Sequence, residues 1–392
     1  MKICFITPNL LPVPNVLGGA IETIITNVLK EQGKNNSLDI TVVSIYNKLA
    51  YQESKKYQNT KFIYIKKTPL YIFFSIIYKL ENKIFKKDKN TYNHMVLRKI
   101  KKHNYDYIFA EGGHYNSFNT FLKYFDKNKM ILHLHHTGTS NEIIDNTFSK
   151  VVGVSNYVIN KFKNSSSIKN YYLLKNCINL DDFKKVASSK ELNEIRNKYN
   201  IKKDDFVIIY CGRLIKEKGV LELIKAFNKV NNNHMKLLII GSKNFYYGET
   251  DNYVDALYKE ANDNIIFTGY INTHELYKYY QLSKIMVIPS IWEEAAGLVC
   301  IEAMISKLPI ITTGSGGILE YVSDKSIIVS NQKSKIIDDL SKAILKLYQE
   351  KDKLENIGKY NYQEALKYSS ATYYQELVKL IREDMNNEKK EY

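Results

Sequence analysis

The stretch Ile285-Met286-Val287-Ile288-Pro289-Ser290-Ile291-Trp292-Glu293-Glu294-Ala295-Ala296-Gly297-Leu298-Val299-Cys300-Ile301-Glu302-Ala303-Met304 decides how the chain is read. Its apolar opening, Ile285–Ile288, reads as a buried strand, and Pro289 ends it. A carboxylate-bearing turn follows, with Gly297 as a point of close backbone approach. The pattern then turns helical, with Glu302 near the amino end of that helix. Glu294 is therefore expected on a loop at the carboxyl end of a strand, the edge of an α/β sheet where ligands bind. On one continuous helix Glu294 and Glu302 would stand roughly 12 Å apart. A bent loop-to-helix junction lets them reach two parts of one extended ligand. The competing reading is two solvated acids at a helix start, where the dipole favours Glu.

A chain of 392 residues implies two domains. Its 44% hydrophobic content is enough for real cores and excludes wholesale disorder. The formal net charge of +16 favours anionic partners. The wealth of Asn, Lys, Ile and Tyr along the whole sequence discounts part of that charge as a functional signal. Cys4, Cys177, Cys211 and Cys300 are scattered without CxxC or metal-ligand spacing and read as structural thiols of a reducing compartment. Met1–Thr7 is a short strand-like run stopped by Pro8 and does not read as a signal peptide. No window offers a membrane span. The expected location is cytoplasmic.

The amino-terminal half alternates strands and helices, which argues for a mostly parallel sheet. After the first strand, Gly18-Gly19 opens a helix that carries Glu22. Backbone amides at such a start can meet an anion, although a plain turn explains the glycines equally. Ile131-Leu132-His133-Leu134-His135-His136 runs off another strand. Alternation puts His133 and His135 on one face, Leu134 and His136 on the other. Glu111-Gly112-Gly113-His114 leaves a further strand end. In Tyr71–Phe85, apolar residues recur at helical spacing, and Glu81 to His103 holds eight Lys/Arg against two acids. That suits a helix lying on an anionic membrane. A helix docked on the sheet beside a charged loop is the alternative.

In the second half, Phe206–Tyr210 ends in Cys211-Gly212-Arg213-Leu214-Ile215-Lys216-Glu217-Lys218-Gly219. A glycine and cations at a strand end make a phosphate site. Ile310–Thr312 reads as the last clear strand and leads to Gly314-Ser315-Gly316-Gly317. Residues 361–392 read as amphipathic helix with a charged end.

As a set, Glu294-x7-Glu302 with Gly297-Leu298 and Glu302-Ala303-Met304, Gly316-Gly317-Ile318-Leu319-Glu320, Gly212-Arg213-Leu214 through Lys218-Gly219, and Gly18-Gly19-x-x-Glu22 resembles the family 4 retaining glycosyltransferases. Lys175-Asn176-Cys177-Ile178-Asn179 resembles the family's segment entering the linker, with Cys177 for the usual Gly and Asn179 for the usual Asp. The resemblance covers nearly the whole chain. It implies an α/β GT-B fold of two Rossmann-like domains facing a central cleft. The expected division is 1–180 for acceptor, 181–360 for nucleotide-sugar, and a helical tail, 361–392, crossing back to the first domain.

The resemblance also assigns roles. His135, Glu294, Arg213 and Lys218 are expected to be catalytic. Gly18, Gly19, Arg213, Lys218, Tyr270, Ile271, Glu294, Gly297, Leu298 and Glu302 are expected to bind the donor. Glu111, His114 and His136 are expected on the acceptor side. No metal or other cofactor is expected, and no Asp-x-Asp is present. The expected reaction moves a sugar, with retention, from a nucleotide diphosphate sugar, UDP-sugar favoured, to a glycan or lipid-linked acceptor of bacterial cell-surface polysaccharide synthesis. Residues 71–103 would touch anionic membrane on the inner face of the cell membrane. Two other classes stay open: a nucleotide-sugar 2-epimerase of the same architecture, and a basic nucleic-acid-binding protein. The latter is opposed by the spread of the basic residues and the lack of RNP, zinc or helix-turn-helix motifs, so no nucleic-acid partner is expected.

Overall fold

The computed structural model describes residues 1–85, 88–242 and 252–384. Contacts divide the chain into Met1–Cys177 with Ser370–Tyr392, and Ile178–Ser369. The sequence reading put these boundaries after 180 and after 360.

The first unit holds β1 (Lys2–Ile6), β2 (Asp39–Ile45), β3 (Thr60–Ile65), β4 (Tyr107–Ala110), β5 (Met130–Leu134), β6 (Lys150–Gly153) and β7 (Asn170–Leu173). They form one parallel sheet in the order β3-β2-β1-β4-β5-β6-β7. Central strands such as Ile3–Ile6 and Tyr107–Ala110 are buried throughout, as a parallel sheet covered on both faces requires. Three helices matter for the chemistry: α1 (Ala20–Asn35), α2 (Pro69–Phe85) and α3 (Thr91–Ile100). The α1 helix buries Ile24, Ile25, Val28 and Leu29 at helical spacing against β1 and β2.

The second unit holds β8 (Phe206–Cys211), β9 (Met235–Ile240), β10 (Ile265–Gly269), β11 (Ile285–Ile288), β12 (Ile310–Thr313) and β13 (Ile327–Val329). They are parallel in the order β10-β9-β8-β11-β12-β13. The β13 strand was not legible in the sequence, where Ile310–Thr312 read as the last. It is a three-residue edge strand with only Val329 buried, too short to show a period. Helices α4 (Val220–Val230), α5 (Thr273–Leu282) and α6 (Leu298–Ile305) follow β8, β10 and β11. Two apolar clusters cover the two sheet faces. One contains Ile208, Leu223 and Val287; the other contains Ile209, Met286 and Ile301.

The last described α-helix, α7 (Ser370–Lys379), belongs to the first unit and packs on α1. Tyr373, Tyr374 and Leu377 join its core. Ser370 Oγ donates to Glu31 Oε1 at 3.0 Å, and the Tyr374 hydroxyl bonds Gln32. Residues 385–392 of the expected tail, and Lys86 and Lys87 of the basic run, lie outside the described residues.

Candidate functional site

Both sheets change direction of build once, between β1 and β4 and between β8 and β11. Chains leaving two such neighbours diverge to opposite faces and leave a crevice at the carboxyl edge. In the second unit that places Gly212–Lys218, after β8, beside Pro289–Glu294, after β11.

The two segments are locked by backbone contact. Ile291 and Trp292 amides donate to the Glu217 carbonyl at 3.0 and 3.2 Å. Gly219 sits at φ 67°, and a Cβ there would lie 2.0 Å from the Pro289 carbonyl oxygen, so only glycine fits. Gly316 meets the Glu294 backbone in the same manner, at φ 65° with its would-be Cβ 2.3 Å from the Glu294 carbonyl oxygen. The Gly317 amide donates to that oxygen at 2.6 Å. The glycine turn after β12 thus clamps the carboxylate loop.

This framework holds the Glu294 side chain between two donors. Lys218 Nζ lies 2.5 Å from Glu294 Oε1, and Ser290 Oγ donates to the same oxygen at 2.6 Å. Both Lys218 and Glu294 are partly exposed. The sequence reading gave the two residues separate tasks; the fold makes them an ion pair. Arg213 is exposed and, among the described residues, has no acidic partner. Its carbonyl accepts from the Tyr210 hydroxyl at 2.8 Å, which fixes the backbone under it.

Next to Arg213 opens a pocket of about 180 Å³ lined in part by Gly212, Gly241, Ser242, Tyr270, Ile271 and Thr273. Gly212 and Gly241 touch backbone to backbone: a Cβ on Gly241 would lie 1.9 Å from the Gly212 carbonyl oxygen. Tyr270 and Ile271, expected beside the donor, line this pocket together with Arg213. Ser242 and Thr273 were not singled out there.

Helix α6 starts at Leu298, directly after Gly297, so its first amides have no acceptor within the helix. Glu302 lies one turn on, partly exposed, and accepts from the Tyr280 hydroxyl at 2.8 Å. Burial raises its carboxyl to about 6, against the opposing pull of that phenol. Tyr280 also lies beside the Cys211 thiol, which lines the pocket. Glu302 and the pocket are thereby linked through one buried tyrosine that no sequence pattern announced. The Cys300 thiol is held neutral first by burial and then by the carboxylates of Glu294 and Glu302, which places both acids near one helical turn.

The first unit shows a different picture. Gly18 and Gly19 have φ of 90° and 101° and open α1 as expected. The space above Gly19, however, is taken by the chain's own acid: Glu22 Oε2 lies 2.1 Å from where a Gly19 Cβ would be. Glu22 is buried, and burial raises its carboxyl to about 7, partly offset by a backbone hydrogen bond. This corrects the reading of the Gly18-Gly19 turn as a phosphate site, because the Glu22 side chain occupies the space above Gly19.

Glu111 is likewise corrected. It was expected on the acceptor side, but its side chain is 2% exposed and turned onto two imidazoles. Glu111 Oε2 stands 2.7 Å from His135 Nε2 and 2.9 Å from His133 Nδ1. The histidine ring centroids lie 4.1 Å apart, with the rings tilted by 45°. Burial alone would raise Glu111; His133 and then His135 reverse that and hold it low. Burial, then His133, holds the His135 imidazole below its ordinary value. His136 points to the other side, exposed and stacked on Tyr115 at 6.1 Å. His114 is exposed, with Asp88 at 3.8 Å. His133 was visible in the sequence through its shared face with His135.

Helix α2 is amphipathic against α3. Phe74 packs on the His94 ring at 4.5 Å, and Tyr78 Oη lies 2.9 Å from His94 Nδ1. Its other face, Ile72, Phe73, Ile76, Leu80, Ile84 and Phe85, is exposed. The docked-helix alternative accounts for only one side of it. Among the described residues no helix is long and apolar enough to cross a membrane.

Comparison with known proteins fits this geometry. Residues 192–364 match the family described as glycosyl transferases group 1. A stretch of 150 residues is 31% identical to an uncharacterised glycosyltransferase of Methanocaldococcus jannaschii, covering 38% of this chain and 37% of that one. The lipopolysaccharide 1,2-N-acetylglucosaminetransferase of Salmonella typhimurium is 24% identical over 360 residues, 88% of this chain and 89% of that one. The crystal structure of Anabaena HepE in complex with UDP superposes with a TM-score of 0.74 at 16% identity, over 97% of this chain and 99% of that one. The carboxyl-terminal part of the chain, residues 192–364, thus resembles the group 1 glycosyltransferases, and the Salmonella relative that spans most of the chain is named as a transferase too. The two parallel Rossmann-like sheets of this chain are those of the GT-B fold.

Proposed function

We propose that the chain transfers a sugar from a UDP-sugar to a glycan or lipid-linked acceptor in bacterial cell-surface polysaccharide or glycolipid synthesis, with retention and without a metal ion at the diphosphate. One observation carries the reading: the loop after β8 carries both Arg213, without an acidic partner among the described residues, and Lys218, which joins Glu294 and Ser290 from the loop after β11, and Arg213 lines a pocket of about 180 Å³. Arg213 and Lys218 take the diphosphate and offset the charge that grows on it as the glycosidic bond breaks. In that step the leaving phosphate itself accepts the acceptor's proton. Amides at Gly297 and Leu298 add donors. Glu302, oriented by Tyr280, accepts from the ribose diol. Main-chain groups near Tyr270 and Ile271 meet the base. Glu294 turns to hydroxyls of the transferred sugar, with Ser290 keeping its rotamer. On the first unit, the exposed His136 serves the acceptor, whereas His135 is turned onto Glu111.

Relatives support the substrate class. The HepE structures hold UDP and UDP-glucose, and the Salmonella relative acts on lipopolysaccharide. The exposed apolar face of α2, followed by Arg98, Lys99, Lys101 and Lys102, supports peripheral contact with an anionic membrane.

The test is a thermal-shift comparison of UDP, GDP, ADP and CMP, each with and without EDTA, on the wild type and Arg213→Ala. UDP is expected to raise the wild-type midpoint regardless of EDTA and to lose most of that effect in the variant. A shift given by another nucleotide alone, or an equal UDP shift in Arg213→Ala, refutes the donor assignment.

A further inference from the structure

Glu111, His133 and His135 form a buried set that the donor chemistry does not use. Their positions are fixed by the sheet. Ala110 pairs with Leu132 in register, so Glu111 and His133 leave adjacent strands side by side, and the period of two adds His135 to the same face. One ligand atom from each residue lies within 4.8 Å of the other two.

Hydrogen bonds explain only part of this arrangement. His135 Nε2 bonds Glu111 Oε2. Glu111 Oε1 and both ring nitrogens of His133 are buried without a hydrogen-bond partner. His133 Nδ1 lies 2.9 Å from the carboxylate yet is misaligned for an N–H···O bond. Buried polar atoms left this way call for a water or an ion, and these belong to two of three side chains whose ligand atoms all lie within 4.8 Å of one another.

We propose that Glu111, His133 and His135 bind one divalent transition-metal ion, zinc before others. Two imidazoles and a carboxylate are a zinc donor set, and three protein ligands leave a coordination position open. Bonds of about 2 Å in a tetrahedron separate ligand atoms by about 3.3 Å. The pairs at 2.7 and 2.9 Å must open by about half an ångström, which rotation of the Glu111 carboxyl supplies. The ion ties the carboxyl ends of β4 and β5 together. It lies in the first unit and leaves the metal-free handling of the diphosphate, in the second, unchanged.

The experiment uses the full chain, tag removed and purified without chelator. Metal content is measured, then Co²⁺ is added to EDTA-stripped protein and the visible d–d bands are recorded, for wild type, His133→Asn and Glu111→Gln. About one zinc per chain is expected in the wild type, with intense tetrahedral Co²⁺ bands. Affinity should fall at least about tenfold in each variant. Zinc should raise the wild-type thermal midpoint and leave His133→Asn unmoved. If a variant does not fold, the wild-type Co²⁺ spectrum and EDTA response decide alone. A wild type that binds neither zinc nor Co²⁺, or a His133→Asn variant that binds them equally, overturns the site. UDP binding in the same samples reports separately on the donor reading.

Discussion

The assignment of Glu302 to the ribose diol makes donor affinity depend on pH in a calculable way. Its carboxyl is raised to about 6 by burial. A diol donates two hydrogen bonds to a carboxylate but cannot donate both to the protonated acid, which carries a donor of its own. Binding should therefore follow the ionised fraction. At pH 8 that fraction is near one; at pH 5 it is about one tenth, and the donor Kd rises about tenfold, or about 1.4 kcal/mol. Glu302→Gln fixes the neutral form. It should weaken donor binding at pH 8 by about 10- to 100-fold, the value of one or two charge-assisted bonds, and abolish the slope. Isothermal titration with UDP-glucose suits the test, because its diphosphate has no terminal phosphate titrating near pH 6. A wild-type Kd that stays flat from pH 8 to 5, or a Glu302→Gln enzyme with the same slope, refutes the role.

Three further outcomes follow from the geometry. Lys218→Met leaves Glu294 with Ser290 alone and should lower kcat about 10²- to 10³-fold, with little change in Tm, if Lys218 stabilises the leaving diphosphate; unchanged kcat in a folded variant removes that role. Gly219→Ala drives a Cβ to 2.0 Å from the Pro289 carbonyl oxygen at φ 67° and should cost about 2–4 kcal/mol in urea unfolding; an unchanged midpoint shows that the β8 and β11 loops are not locked there. Glu22, raised from 4.5 to about 7, binds its proton more tightly folded than unfolded. Its stability contribution is full below pH 4.5 and is lost as pH rises through 7, for a total of about 3 kcal/mol. Glu22→Gln should therefore stabilise the chain at pH 8 and not at pH 4; equal effects at both would place the Glu22 carboxyl in solvent.

Much of this protein is written locally. Apolar runs bounded by glycine or proline, such as Ile285–Ile288 with Pro289, fix strands because a parallel strand buried on both faces is built mostly of apolar side chains. The alternation of such runs with helical periods fixes the two α/β units. Arg213, Lys218, Glu294 and Glu302 were legible because strand-end loops and helix starts can be located from neighbours a few residues away. The edge strand Ile327–Val329 was not legible, since three residues of which only Val329 is buried carry no period.

What only the tertiary structure decided are relations between distant segments. Lys218 and Glu294 are 76 residues apart and become an ion pair only when β8 and β11 pair. Tyr280 reaches Glu302 from another helix. Glu22 fills the helix start that Gly18-Gly19 advertises as open, and Glu111 turns inward onto His133 and His135 instead of outward. Sequence determines which groups stand at a strand's end. Which way a carboxylate turns there depends on the charges and space that neighbouring strands bring, and those arrive with the register of the sheet.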